Sequence, residues 1–186
     1  MIETATLEAH FQAMARNNLW SNHRVYRACS GLAEEEYRRD HGAFFHSIHG
    51  TLNHILLIDR WYIGRLQGRD LAWTRHDEEL HADLPALARA QRESDRELVG
   101  LCEGLDRRGL EREVATGTAR HLYRDPVHAV LAHLFLHQIH HRGQVHQMLS
   151  AAGVAPPQLD EFLLSGDTLL RAAEVEELGI GARSRP

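Results

Sequence analysis

Cysteine is scarce here: Cys29 and Cys102 are the only two in 186 residues. Two thiols cannot build a disulfide framework, and their spacing does not match a paired-cysteine zinc site. A reducing, cytoplasmic setting is the expectation. Long apolar runs are missing as well. No stretch reaches the roughly 18 apolar residues of a membrane span. The opening Met-Ile-Glu-Thr-Ala-Thr has neither a basic lead nor an apolar run of signal-peptide length. Neither membrane nor export is expected. Positive charge is also short: 21 Lys and Arg stand against 26 Asp and Glu, a formal net charge of −5. A phosphate-neutralising surface needs a basic excess, so nucleic acid is not an expected partner. Arg38-Arg39 and Arg107-Arg108 read as short solvated pairs.

What is there is an ordinary globular composition, 43% hydrophobic and 25% charged, at a length that suits one compact domain with a sizeable core. We expect that domain over residues 1–174 and a polar tail over 175–186, with no internal repeat or low-complexity tract. Histidine is the departure from average, with 15 copies, several of them crowded into 121–146.

Leu7, Phe11, Met14, Leu19, Val25 and Tyr26 form a helical stripe from a cap at Thr4 or Thr6 to about residue 30, where Gly31 supplies a stop. Ile48, Leu52, Ile55, Tyr62, Ile63 and Leu66 predict a second helix over 45–66, closed by Gly68. Residues 69–83 are polar and read as a connection. Leu87, Leu98, Leu101 and Leu105 restore the pattern over 84–105. Residues 109–125 hold too few apolar positions for a long helix and predict a short hairpin or an extended crossover. Asp125-Pro126, an acidic cap with proline in the first helical position, opens a last long helix that Gly153 and Pro156-Pro157 close. Beyond Gln158, the apolar stretch 162–170 predicts a docked segment and 181–186 a frayed end. The fold class expected is all-α: a four-helix bundle with a long crossover before the last helix. Bundles of this kind build metal sites from side chains on facing helices.

On the last helix an apolar stripe runs through Val127, Val130, Leu134, His137, His141, Val145 and Met148. At about 100° per residue, His141 lies near its middle and His137 roughly 40–50° away, whereas His133 and His140 fall about 90° or more from it. His128 and His146 lie on the outer side. Histidines at i and i+4 share one face, so His137 and His141 can reach one ion at about 2.0–2.1 Å. Two unpaired buried imidazoles are costly, and a shared metal satisfies both. The alternative is a pair of hydrogen-bonded core histidines. A third ligand has to come from another helix, and the second offers His46, His49 and His54. His54 is mid-helix, on a flanking face with Ser47, Thr51, Ile58 and Trp61, whereas His46 and His49 lie near the helix start, where a solvated histidine is ordinary. Three imidazoles leave an open coordination position, as catalytic sites do.

The segment Ser47-Ile-His-Gly-Thr-Leu-Asn-His-Ile55, followed by Asp59-Arg60-Trp61, resembles the second helix of the DinB family. His137-Gln-Ile-His-His-Arg-Gly-Gln144 resembles that family's last-helix signature, and Asn17-Asn-Leu-Trp-Ser-Asn22 its first-helix segment. The resemblance extends to about residue 170. It implies an up-down-down-up four-helix bundle, often a homodimer, with a metal held by three histidines. Carried over residue by residue, the ligands fall on His54, His137 and His141. His140, Arg142 and Gln144 also match the signature, without roles that follow from it.

Relatives in the wider superfamily are thiol-dependent transferases and isomerases, so the resemblance implies a metal that activates a low-molecular-weight thiol cofactor towards a small electrophilic substrate. A metal-dependent hydrolase is the alternative enzyme; it needs a general base, for which Asp59 and Glu161 are candidates by residue type alone, each otherwise a solvated carboxylate. A non-enzymatic, stress-related metal-binding protein is the third reading. The expected cofactor is one divalent transition metal, zinc or nickel first and iron or copper after them, since imidazole suits all four. Cys29 and Cys102 both read as buried, inert thiols.

Overall fold

A computed structural model describes residues 6–69, 75–118 and 121–181. Within them the chain is mostly helical, with four long helices, three short ones and one small sheet. The order is α1 (Leu7–Cys29), α2 (Glu34–Arg38), α3 (Ile48–Leu66), α4 (Leu84–Gly104), α5 (Arg107–Glu111), β1 (Glu113–Thr118), β2 (His121–Pro126), α6 (Val127–Ala151) and α7 (Thr168–Leu178). The long helices α1, α3, α4 and α6 pack so that α1 and α3 each touch both α4 and α6.

Local chemistry sets the boundaries. Thr6 caps α1, its hydroxyl oxygen accepting from the Ala9 amide at 3.2 Å; Thr4, the other candidate cap, lies outside the described residues. Helix α3 starts at Ile48, three residues later than the apolar pattern suggests. Ser47 is its cap, accepting from the Gly50 amide at 3.0 Å, and Phe45 belongs to a tight turn before it. That turn holds His46 at φ 62°, in the left-handed region that a histidine visits only where its surroundings enforce it. At the other end of α3, Gly68 takes φ 74°, which lets the Arg69 amide reach back to the Gly64 carbonyl at 2.8 Å and closes the helix.

The all-α class needs one qualification, a small two-stranded sheet. Of the two readings of 109–125, a short hairpin or an extended crossover, the structure has the hairpin: residues 113–126 are antiparallel, with Val114 opposite Asp125 and Glu113 opposite Pro126. Ala119 and Arg120 of that segment lie outside the described residues, as do residues 70–74 of the α3–α4 connection. Asp125 therefore belongs to a strand and does not cap the last helix, and Pro126 stands at the cap position itself, not at the first helical position. The Asp125 carboxylate is taken by the Thr116 hydroxyl across the hairpin, so α6 begins at Val127 without a side-chain cap.

The core is split along the bundle. One apolar cluster gathers Phe11, Ile63, Leu98, Leu134 and Phe135; another gathers Tyr26, Leu52, Leu56, Leu87 and Met148. The buried polar side chains of Asn18, Asn22, Asp59, Gln91, Asp95, Gln138 and Arg142 form a connected layer besides. A third cluster docks the C-terminal segment: Phe162, Leu178 and Ile180 close on Leu19 and Trp20. Of the run 162–170 that the sequence predicts to dock, Phe162 is buried, whereas Leu163, Leu164, Leu169 and Leu170 are exposed. A helical segment buries only one stripe, and that stripe continues past the apolar run. Of the expected frayed end, residues 182–186 lie outside the described ones. Among the described residues no helix is long and apolar enough to cross a membrane.

Candidate metal centre

Helices α3 and α6 face one another, and this brings His54 against His137 and His141. One ring nitrogen of each lies within 4.8 Å of the others, so the three could hold a metal ion. The Nε2 atoms of His54 and His137 are 3.0 Å apart, close to the ~3.3 Å between two tetrahedral ligands of an ion at about 2.0–2.1 Å. His54 and His141 are 6% and 8% exposed, and His137 is half-buried.

The second ring nitrogens explain why the imidazoles face inward by Nε2. His54 Nδ1 donates to the His76 carbonyl at 2.7 Å. His141 Nδ1 donates to Gln144 Oε1, also at 2.7 Å. An oxygen acceptor on Nδ1 puts the proton there and leaves a lone pair on Nε2, the arrangement that orients metal-binding histidines generally. His137 Nδ1 is buried without a hydrogen-bond partner among the described residues.

Electrostatics favour the neutral rings. Burial draws His54 down to about 4, with the His76 carbonyl opposing and His141 adding to the shift. Burial, then the neighbouring His141 and His54, take His137 down to about 3. Burial lowers His141 too, against its bond to Gln144. Neutral imidazole is the form a metal requires, so donor type, ring orientation and protonation state all fit an ion.

Two neighbours shape the site. The Phe45 ring stacks on His54 at 3.9 Å between centroids and meets His141 edge-on at 5.5 Å. Gly50 permits this, because a Cβ there would collide with the Phe45 carbonyl. Asn53 anchors the loop that carries His76. Its Oδ1 accepts from the amides of Leu80 and His81 at 2.8 and 3.0 Å, and its Nδ2 donates to the His81 carbonyl at 3.2 Å. The only mark of Asn53 in the sequence is a carboxamide within the apolar pattern of a helix.

The remaining candidates lie elsewhere. His46 is exposed beside Asp40. His49, expected to be solvated, is buried and meets the His81 carbonyl at 3.1 Å and Arg38 at 3.3 Å. His133 and His140 are exposed on α6. Asp59 is neither at the triad nor solvated: it is 1% exposed and accepts from Gln91 and Gln138. Glu161 pairs with Arg24 at 3.3 Å. Neither carboxylate serves as a base at the three histidines. Arg142 turns into the core and donates to Asn18, Asn22 and Gln138, and burial lowers it to about 10. Burial pushes Cys29 and Cys102 both up to about 12.

The sequence profile of the DinB family matches residues 1–168. A DinB-like protein from Bacillus subtilis, known from its crystal structure, is similar in fold, with a TM-score of 0.58 and 19% identity over 78% of this chain and 96% of that one. No curated protein matches the chain.

Proposed function

Because the chain belongs to the DinB family, we propose that it is a metal-dependent enzyme of the thiol-transferase type, with His54, His137 and His141 holding one divalent transition metal. The observation that carries this reading is the convergence of three neutral imidazoles, two of them oriented by oxygen acceptors on the far nitrogen. Three protein ligands leave a coordination position for a small molecule, which is a catalytic pattern more than a structural one. A metal in that position supplies acidity: a thiol that coordinates it is deprotonated outright. The protein's share is to hold the ligands, keep them unprotonated and wall one side with Phe45.

Hydrolysis is the weaker reading, because Asp59 and Glu161, the carboxylates put forward as bases, are engaged elsewhere. Zinc or nickel suits the imidazole set. A cytoplasmic location agrees with two buried, unbonded cysteines, and a homodimer with exposed Leu136 and Ile139 on α6. We also read the bundle as up-down-down-up. Arg16 meets Glu103 while Asn22 meets Asp95, so α1 and α4 run oppositely. Phe11 stacks on Phe135 while Asn18 meets Arg142, so α1 and α6 run together. His54 meets His141 while Tyr62 meets His133, so α3 opposes α6.

The test is elemental analysis of untagged protein, for the parent and for His54→Ala, His137→Ala and His141→Ala, followed by a screen of metal-loaded protein for thiol addition to small electrophiles. Near-stoichiometric metal that each folded variant loses supports the site. Metal retained by the variants, or a parent without any, removes it. A metal-loaded parent inert towards every thiol pair removes the transferase reading and leaves the binding protein.

A further inference from the structure

The polar layer in the core contains two carboxyl groups and one guanidinium. Asp59 on α3 and Asp95 on α4 are 1% and 2% exposed, and Arg142 on α6 is 4% exposed. Helix α1 adds no charge to the layer itself, only the carboxamides of Asn18 and Asn22; His23 and Tyr26 of α1 and Arg92 of α4 lie beside it, lining a small cavity with Gln91 and Asp95, and Arg92 is directed to His23 at 3.4 Å. If both carboxyls were ionised, the layer would hold an uncompensated negative charge away from water, which is the costliest arrangement a core can contain.

The hydrogen bonds distinguish the two acids. Asp95 acts as an acceptor through both oxygens: Oδ1 takes Asn18 Nδ2 at 3.0 Å, Asn22 Nδ2 at 2.9 Å and Gln91 Nε2 at 3.1 Å, and Oδ2 takes Asn22 Nδ2 at 3.1 Å. Asp59 is lopsided. Its Oδ2 accepts from Gln91 Nε2 at 2.7 Å and from Gln138 Nε2, while its Oδ1 is buried with no partner among the described residues. The side-chain oxygen of Gln91 is likewise buried with no partner among them. Two unpartnered acceptors thus belong to side chains already joined by one bond, and a proton on Asp59 Oδ1 turns one of them into a donor.

We propose that Asp59 is a neutral carboxylic acid in the folded protein, binding one proton at Oδ1, and that Asp95 is the ionised partner of Arg142 in a layer without net charge. Burial raises Asp59 to about 7, against its bonds from Gln91 and Gln138 and the charge of Arg142, in keeping with the geometry. Burial and the Asp59 charge raise Asp95 as well, but protonating Asp59 removes the second of these causes. Asparagine is the side chain that mimics a protonated aspartate, since it offers one acceptor and one donor. At position 59 it keeps the acceptor for Gln91 and Gln138 and presents an N–H in place of the lone Oδ1. At position 95 it forfeits acceptors that three amides use.

The experiment is a carboxyl ¹³C titration of zinc-loaded protein labelled at aspartate, with through-bond assignment, beside thermal unfolding of Asp59→Asn and Asp95→Asn. One aspartate resonance is expected at the protonated position at about pH 5, assigned to Asp59 and titrating near neutrality. Asp59→Asn is expected to stay folded and to gain on the parent in Tm between about pH 5 and 8, since the parent must hold a proton its unfolded chain releases. Asp95→Asn is expected to lower Tm throughout. The proposal is overturned if the Asp59 resonance is that of a carboxylate at about pH 5, or if the protonated resonance belongs to Asp95. A layer neutralised by a bound cation overturns it too, and shows as a Tm that depends on sodium against a large organic cation at constant ionic strength. The spectrum of the parent decides the matter even if Asp59→Asn does not fold.

Discussion

His54 and His137 meet through their Nε2 atoms at 3.0 Å. The proton of His54 is already committed on Nδ1 to the His76 carbonyl, so its Nε2 brings a lone pair to this contact. The proton of a neutral His137, carried on Nε2, or one cation between the rings gives that lone pair a partner. Protonating both rings would put two positive charges there.

This fixes a pH dependence. The unfolded reference for histidine is about 6.5, and His54 and His137 are depressed to about 4 and about 3 in the fold. Depressed groups give stability that is present above the unfolded value and lost as pH falls through the folded ones. Metal-free protein should therefore lose stability between pH ~6.5 and the folded values, as the unfolded chain takes up protons first. Zinc affinity, read by chelator competition, should begin to fall only below the ordinary histidine value, since all three rings are lowered in the fold. A drop centred near the ordinary value would sink this account.

Gln144 acts on the proposed site through His141. Its Oε1 is the acceptor that fixes the ring at 2.7 Å. Gln144→Ala should weaken zinc binding roughly 10–100-fold, as losing a ligand's hydrogen-bond partner typically does, with little change in Tm. Gln144→Glu keeps an acceptor and should recover most of the affinity.

Asn53 acts through the loop. Its side chain holds Leu80 and His81, and that loop carries the carbonyl that orients His54. Asn53→Ala leaves two partly buried backbone amides without their acceptor, which costs about 1 kcal/mol, the low end of the range for a buried group. Urea unfolding should report that loss and chelator competition a weaker site. An unchanged affinity would show that the loop is anchored by other means.

Arg142 is expected to matter to the fold more than to the chemistry. It is joined to Asp95 only through carboxamides: Asn18 and Asn22 accept from the guanidinium and donate to the carboxylate. Removing one partner of a buried charge pair costs about 3–5 kcal/mol, so Arg142→Met should lower the urea midpoint sharply. A loss below about 1 kcal/mol would place this contact in the range of exposed pairs.

Arg24 is the clamp for the C-terminal segment. It stacks over Trp20 at 4.1 Å and donates to Glu174, Glu161 and the carbonyls of Gln158 and Leu170. Arg24→Ala should raise amide hydrogen exchange across 158–178 and leave metal content unchanged. Equal protection in the variant would mean that Phe162, Leu178 and Ile180 dock the segment alone.

Four long helices, their approximate spans and the pairing of His137 with His141 were legible in the sequence, because apolar residues at spacings of three and four determine which face of a helix is buried. Position within the second helix put His54 ahead of His46 and His49, and the resemblance carried most of the weight for it. Tertiary structure settled the rest. A backbone carbonyl from a distant loop chose the His54 tautomer. A hairpin took Asp125 away from the helix it looked ready to cap. Asp59, indistinguishable from a surface acid in a linear reading, became part of a buried layer with Gln91 and Gln138. Periodicity is a property of one helix and survives in one dimension; hydrogen-bond partners, burial and protonation state depend on what other segments bring alongside, and only the folded chain determines that.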